Sequence, residues 1–182
     1  MLTTSGTTKP WYGLTHLAFY QGTWATALWG GSVGLTWPGV AAAAGTLAVH
    51  FFQSTHKTLL LLRLFAATCL GIVLDGLLIA TGVIVFPTAS ILPPFLPPLW
   101  MIVLWPTFAA LFDDIMHWLL PHMTWAIVAG FVAGPLAYIG GQAFGALTLP
   151  LNWWITFFSI GLAWAVAMAL LVVLWRYSGA RS

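Results

Sequence analysis

Charge is what this sequence most lacks. Its 182 residues include five Lys or Arg and three acids, and all three acids are Asp. Charged residues make up 4 % of the chain, against roughly a quarter in a soluble domain. So few charges cannot cover the surface of a soluble fold of this size. Cysteine occurs once, as Cys69 inside an apolar run, which excludes a disulfide-stapled secreted scaffold. The five cations are scattered and form no basic patch, which excludes nucleic acid as a partner. Apolar residues at 61 % exclude intrinsic disorder. A nucleophile triad, a phosphate-binding glycine loop and a Cys-x-x-Cys pair are also missing. Gly30-Gly31-Ser32-Val33-Gly34 is glycine-rich but has no basic residue after it, and reads as a turn.

What is present is a set of long Leu/Ala/Val-rich runs. A helix crossing the hydrocarbon needs about 20 mostly apolar residues, and an outer-membrane barrel would show shorter segments of alternating polarity. The runs predict an all-α integral membrane protein, a single polytopic domain over residues 1–182. Six spans are expected near 14–31, 38–53, 58–86, 98–120, 123–146 and 153–177. The separators fit. Thr36-Trp37-Pro38-Gly39 is a turn, Gln53-Ser54-Thr55-His56-Lys57 is polar, and five of the eleven prolines fall between Pro87 and Pro98. Short loops make the bundle antiparallel.

Six crossings put both termini on one side, and the cations agree. Lys9, Lys57, Arg63, Arg176 and Arg181 all fall on that side, while the opposite loops carry no charge. By the positive-inside rule both termini are cytoplasmic, and the expected location is a bacterial inner membrane. Residues 1–13 carry one cation and no clear small-x-small cleavage site, so they are read as retained rather than as a signal peptide. Trp11, Tyr12, Trp37, Trp100, Trp118, Trp153, Trp154 and Trp175 fall near span ends, where an amphipathic ring suits the interface. Gly130, Gly134, Ala137, Gly141 and Gly145 form a small-residue stripe, which predicts close packing and a central place for the fifth span. Pro106 and Pro135 are expected to kink their helices.

Ionisable residues inside spans cost roughly 2.5–3.5 kcal/mol each on insertion scales and are functional candidates. From a rise of 1.5 Å per residue, His50, Arg63, Asp113, Asp114 and His117 lie about 4–11 Å from the cytoplasmic ends, with Gln21 at about 10 Å. Asp113 and His117 are four residues apart and can share a helix face. Three readings stay open. One is an ion pair from Arg63 to Asp113 or Asp114, completed by His50 and Gln21. A second is a substrate or proton site with Asp113 and His117 as the catalytic, titrating pair. The third is a divalent metal held by Asp113, His117 and His50, with His16 as a further ligand, a donor set that suits Zn, Fe or Mn. The five histidines lack the tight clustering of membrane di-iron oxygenases. No other cofactor is assigned. Asp75 stands apart in the outer half, about 25 Å along its span, with Tyr138 or Gln142 as its expected hydrogen-bond partner.

Several strings occur in a familiar order. They are Phe19-Tyr20-Gln21-Gly22-Thr23-Trp24, then Leu74-Asp75-Gly76-Leu77-Leu78-Ile79-Ala80-Thr81-Gly82-Val83. Pro98-Leu99-Trp100-Met101, His117-Trp118-Leu119 and Gly134-Pro135-Leu136-Ala137-Tyr138 follow. The chain thereby resembles the bacterial inner-membrane family catalogued as domain of unknown function 2878. That resemblance implies a small polytopic membrane protein with no established activity. It also implies genes placed beside enzymes resembling cyclopropane-fatty-acid synthases and flavin-dependent oxidoreductases, which are association and not mechanism. The family pattern favours Asn-His where this chain has Asp113-Asp114.

Three functional expectations follow. The first is an enzyme, or a partner of lipid-modifying enzymes, acting on membrane lipids or another lipid-soluble substrate. The second is a small-solute or proton-coupled transporter, motivated by Asp75 and the Asp113 group at two depths. Little beyond Thr68 and Thr107 links those depths. The third is an assembly protein whose polar groups only set helix register.

Overall fold

The computed structural model describes residues 11–88 and 91–179. Lys9 and Arg181 lie outside the described residues, as do the side chains of Trp11 and Tyr12. The helices are α1 (Trp11–Ser32), α2 (Trp37–Gln53), α3 (Lys57–Ala80), α4 (Leu99–Ile102), α5 (Leu104–Ala110), α6 (Met123–Ala143) and α7 (Trp153–Gly179). Single 3-10 turns at Leu111–Asp113 and His117–Leu119 join α5 to α6. No strand forms among the described residues. One bridge pairs Val85 with Thr148.

Helices α3, α6 and α7 are long and apolar enough to cross a membrane, with mean hydropathies of 2.0, 1.5 and 2.5. Helix α1 has 22 residues but carries His16, Gln21 and several Thr and Gly, while α2 has 17, at the short limit for a crossing. Much large apolar surface faces outward on the long helices. Leu61, Leu62, Phe65, Leu77, Trp154, Phe158 and Leu162 are each at least half exposed or close to it. A water-facing surface of that kind would aggregate; a lipid-facing one needs it.

The expected fourth span, 98–120, is not one helix. It breaks at Val103, and again after Ala110. Pro106 has no N–H to give the Ile102 carbonyl, so the helix restarts there. Past Ala110, Asp113 and Asp114 sit at a helix C-terminus, whose partial negative charge opposes carboxylates. The two acids also diverge to different partners, and Asp114 takes a non-helical φ of −124° and ψ of −106°. Asp113 and His117 therefore do not share an α-helical face.

Helix α3 stops at Ala80 and not near 86. Gly82, at φ 69°, lets the Val83 N–H bond Leu78 O at 2.9 Å and its own N–H bond Ile79 O at 2.9 Å. That closure satisfies the last carbonyls and needs a left-handed residue. Gly145, at φ 77°, ends α6 in the same way, before the expected 146. The two segments that follow pair through Val85 and Thr148, with N···O distances of 3.0 and 2.7 Å.

Helix α6 is not central. Its long contact is with α7, and the small-residue stripe explains it. A Cβ on Gly134 would lie 2.4 Å from Trp164 Cγ, and one on Gly130 would lie 2.5 Å from Met168 Cγ. At its far end α6 meets α1, where Trp24 lies over Gly140. Two apolar cores fill opposite ends of the bundle. One gathers Leu64, Phe112, Leu119, Leu171 and Trp175; the other gathers Leu28, Ile84, Trp100, Leu147 and Ile160. Trp100 and Trp175, expected at the interface, are 3 % and 2 % exposed and belong to these cores. Trp37, Trp118, Trp153 and Trp154 do face outward.

Candidate functional site

Three groups of side chains stand out, and they lie at different depths. The first gathers at the bundle end that holds Arg63. His16 comes from α1, His50 from the last turn of α2, and Asp114 from the turn between the two 3-10 segments. His16 Nδ1 contacts Asp114 Oδ2, and His50 Nδ1 lies 3.3 Å from the same oxygen. The imidazole centroids are 4.2 Å apart at 45°. His16 and His50 are 4 % and 5 % exposed. Helices α1 and α2 are held together nearby by the buried Thr23 and Thr46 hydroxyls, 2.7 Å apart.

Asp113 turns the other way. Its Oδ1 accepts from Arg63 Nη1 at 2.9 Å and from Trp175 Nε1 at 2.7 Å. Arg63 also donates Nε to Ser178 Oγ at 2.7 Å and Nη2 to Trp175 O at 3.3 Å. Its guanidinium lies 5.1 Å from the Trp175 ring centre. One arginine thus ties α3 to α7 and to the segment after α5. A polar cavity of about 420 Å³ opens onto both acids, with His16, His50, His56 and Arg63 in its wall.

The second group surrounds Asp75, which has no exposed surface. Tyr138 of α6 donates to Oδ1, and Trp105 Nε1 of α5 donates to Oδ2 at 2.8 Å. Both oxygens are committed to helix neighbours. The Trp105 ring lies flat on α3 because Gly71 is there: a Cβ would fall 2.1 Å from Trp105 Cγ. Its other side stacks on Trp164, with centroids 4.9 Å apart.

The third group is an apolar cleft between α1 and α6. Its larger lobe, about 310 Å³, is walled by Tyr20, Gln21, Phe108, Ala133, Leu136 and Met168, among others. A smaller lobe of about 50 Å³ continues towards Leu28, Trp100, Met101 and Leu147. Tyr20, Trp24, Phe108, Ala137 and Trp164 line both lobes. Gln21, Ala133 and Leu136 are exposed, so the cleft opens sideways. Trp164 Nε1 is buried beside Tyr138 without hydrogen-bond geometry to any described partner.

The residues singled out in the sequence divide accordingly. His50, Arg63, Asp113 and Asp114 converge on one cavity, and His16, the further ligand considered, joins them as a buried member. His117 is exposed and bonds none of them. Gln21 points into the cleft instead, since it lies about 140° around α1 from His16 at 100° per residue. Of the two partners considered for Asp75, Tyr138 is the one present. Gln142 Oε1 accepts from Leu149 N at 2.8 Å and closes the turn after α6. The donors Trp105 and Trp175 were not foreseen. Their signal was available, since a buried indole N–H needs an acceptor and acids are scarce here.

An all-helical chain with several membrane-length helices is the class these features define. Residues 13–170 match the family described as Protein of unknown function (DUF2878), and the chain belongs to it. No curated protein and no solved structure matches it.

Proposed function

We propose that this chain is a bacterial inner-membrane protein that crosses six times, with both termini cytoplasmic. It takes a lipid-soluble substrate into the α1–α6 cleft and serves, as an enzyme or enzyme partner, in the modification of membrane lipids. The cleft carries this reading. Its larger lobe falls within the 300–1,000 Å³ of small-molecule sites, and its walls are aromatic and aliphatic with few polar groups. Its mouth lies on the flank of the bundle, where acyl chains would reach it without passing through water. Tyr20, Gln21 and Trp164 bring polar groups to the cleft wall to orient a ligand carbonyl or hydroxyl. The cation-bearing ends of α3 and α7 support the proposed orientation.

The test is photolabelling of the protein in native membranes with a diazirine-bearing fatty acid. Label is expected on peptides of α1 and α6, reduced about tenfold by Ala137→Trp, a loss of roughly 1.4 kcal/mol of binding. Label spread evenly over all outward faces, and undiminished by Ala137→Trp, would refute the cleft reading. An unchanged acyl-chain profile in a deletion strain would remove the lipid-modification part. A reporter active only in the cytoplasm, fused to the carboxy terminus, should be active.

A further inference from the structure

Hydrogen bonding does not complete the His16–His50–Asp114 group. Two rings from different helices compete for one oxygen of Asp114. His50 keeps its Nε2 buried with no hydrogen-bond partner. The nitrogen that faces Asp114 is His50 Nδ1, while Nε2 lies on the far edge of the ring, so Nδ1 is the candidate donor to an ion shared with Asp114.

Charge points the same way. Asp113 has the Arg63 guanidinium, and each nitrogen of that arginine gives one hydrogen bond, to Asp113, Ser178 or the Trp175 carbonyl. Asp114 meets two imidazoles and, among the described residues, pairs with no Lys or Arg, although Arg63 lines the same cavity. It also lies where the α5 helix end adds partial negative charge. A bound cation would supply what is missing.

The geometry is that of a ligand set. One nitrogen from each ring and one carboxylate oxygen lie within 4.8 Å of one another. Ligands about 2.0–2.2 Å from a tetrahedral ion stand roughly 3.4 Å apart; the 3.3 Å between His50 Nδ1 and Asp114 Oδ2 is of that size, whereas His16 Nδ1 touches Asp114 Oδ2 and must draw back to admit the ion. Two imidazoles and a carboxylate suit zinc, iron(II) or manganese(II) better than a soft ion.

We propose that His16, His50 and Asp114 bind one divalent first-row metal ion, with its remaining coordination positions open to the polar cavity. His117 and Asp113 are not ligands. Asp113 instead holds its segment in place through Arg63 and Trp175, which aims the neighbouring Asp114 at the two rings. The site does not depend on the α1–α6 cleft, and metal binding is read without any lipid substrate, so either reading can fail alone.

The experiment uses the full chain, purified without a histidine tag and stripped with chelator, then titrated with Co²⁺ and with Zn²⁺. One Co²⁺ per chain is expected, with visible d–d absorption that Zn²⁺ abolishes. His50→Gln and Asp114→Asn should each weaken binding about 100-fold or more, by analogy with the 10–100-fold that outer-shell partners alone contribute. His117→Gln should bind as the wild type does. Circular dichroism checks that each variant is folded. Should a ligand variant unfold, the wild-type titration still decides. No saturable one-to-one cobalt spectrum, or an undiminished one in folded His50→Gln, would overturn the site.

Discussion

Replacing Asp75 by alanine tests how the middle of the bundle is held. The substitution leaves the Tyr138 hydroxyl and the Trp105 N–H without their acceptor, and both groups are buried. In water-soluble proteins each orphaned donor costs about 1–3 kcal/mol. In a membrane the unfolded helices also find partners, and single hydrogen bonds average about 0.6 and reach about 1.7 kcal/mol. Two bonds then give about 1–3.5 kcal/mol for Asp75→Ala. Asp75→Asn behaves differently. Trp105 can only donate, so the amide oxygen must face it, and the amide N–H then meets the Tyr138 oxygen, which can accept. Both contacts survive as neutral bonds, and the loss should stay below about 1 kcal/mol. Tyr138→Phe should cost about 0.6–1.7 kcal/mol in the wild type and almost nothing beside Asp75→Ala. Reversible unfolding in mixed micelles, followed by circular dichroism, measures the wild type and the four variants. Equal stabilities for Asp75→Ala and Asp75→Asn, or an undiminished Tyr138→Phe effect beside Asp75→Ala, would refute the view that Asp75 joins α3 to α5 and α6 through Trp105 and Tyr138.

The same assay reaches two other places. Gly134→Ala puts a Cβ 2.4 Å from Trp164 Cγ, and a ring stacked on Trp105 cannot retreat, so a loss of about 1–3 kcal/mol is expected. Gly45→Ala meets nothing within 4 Å and should be neutral or gain about 0.4–1 kcal/mol. Arg63→Lys keeps the charge but cannot span Ser178 and Asp113 with one ammonium. With the Asp113 side chain 35 % exposed and partly screened, about 1 kcal/mol of loss is expected, and Arg63→Ala should lose more.

Residue type and run length alone established the helical class and most helix boundaries. Burying backbone in hydrocarbon leaves helices as the workable solution for runs like 58–80 and 153–177. They also brought Arg63 to Asp113 and Asp75 to Tyr138 within a short list of partners, because so few polar groups are available. Tertiary structure decided the rest. Whether 98–120 holds as one helix depended on Pro106 and on two adjacent acids drawn to opposite partners, which helical periodicity does not encode. Which of five histidines meet depended on how α1 and α2 are rotated against the segment after α5. The α1–α6 cleft is a property of where helices do not touch. No single run specifies it, because a gap is set by the sizes of side chains brought together from every neighbouring element.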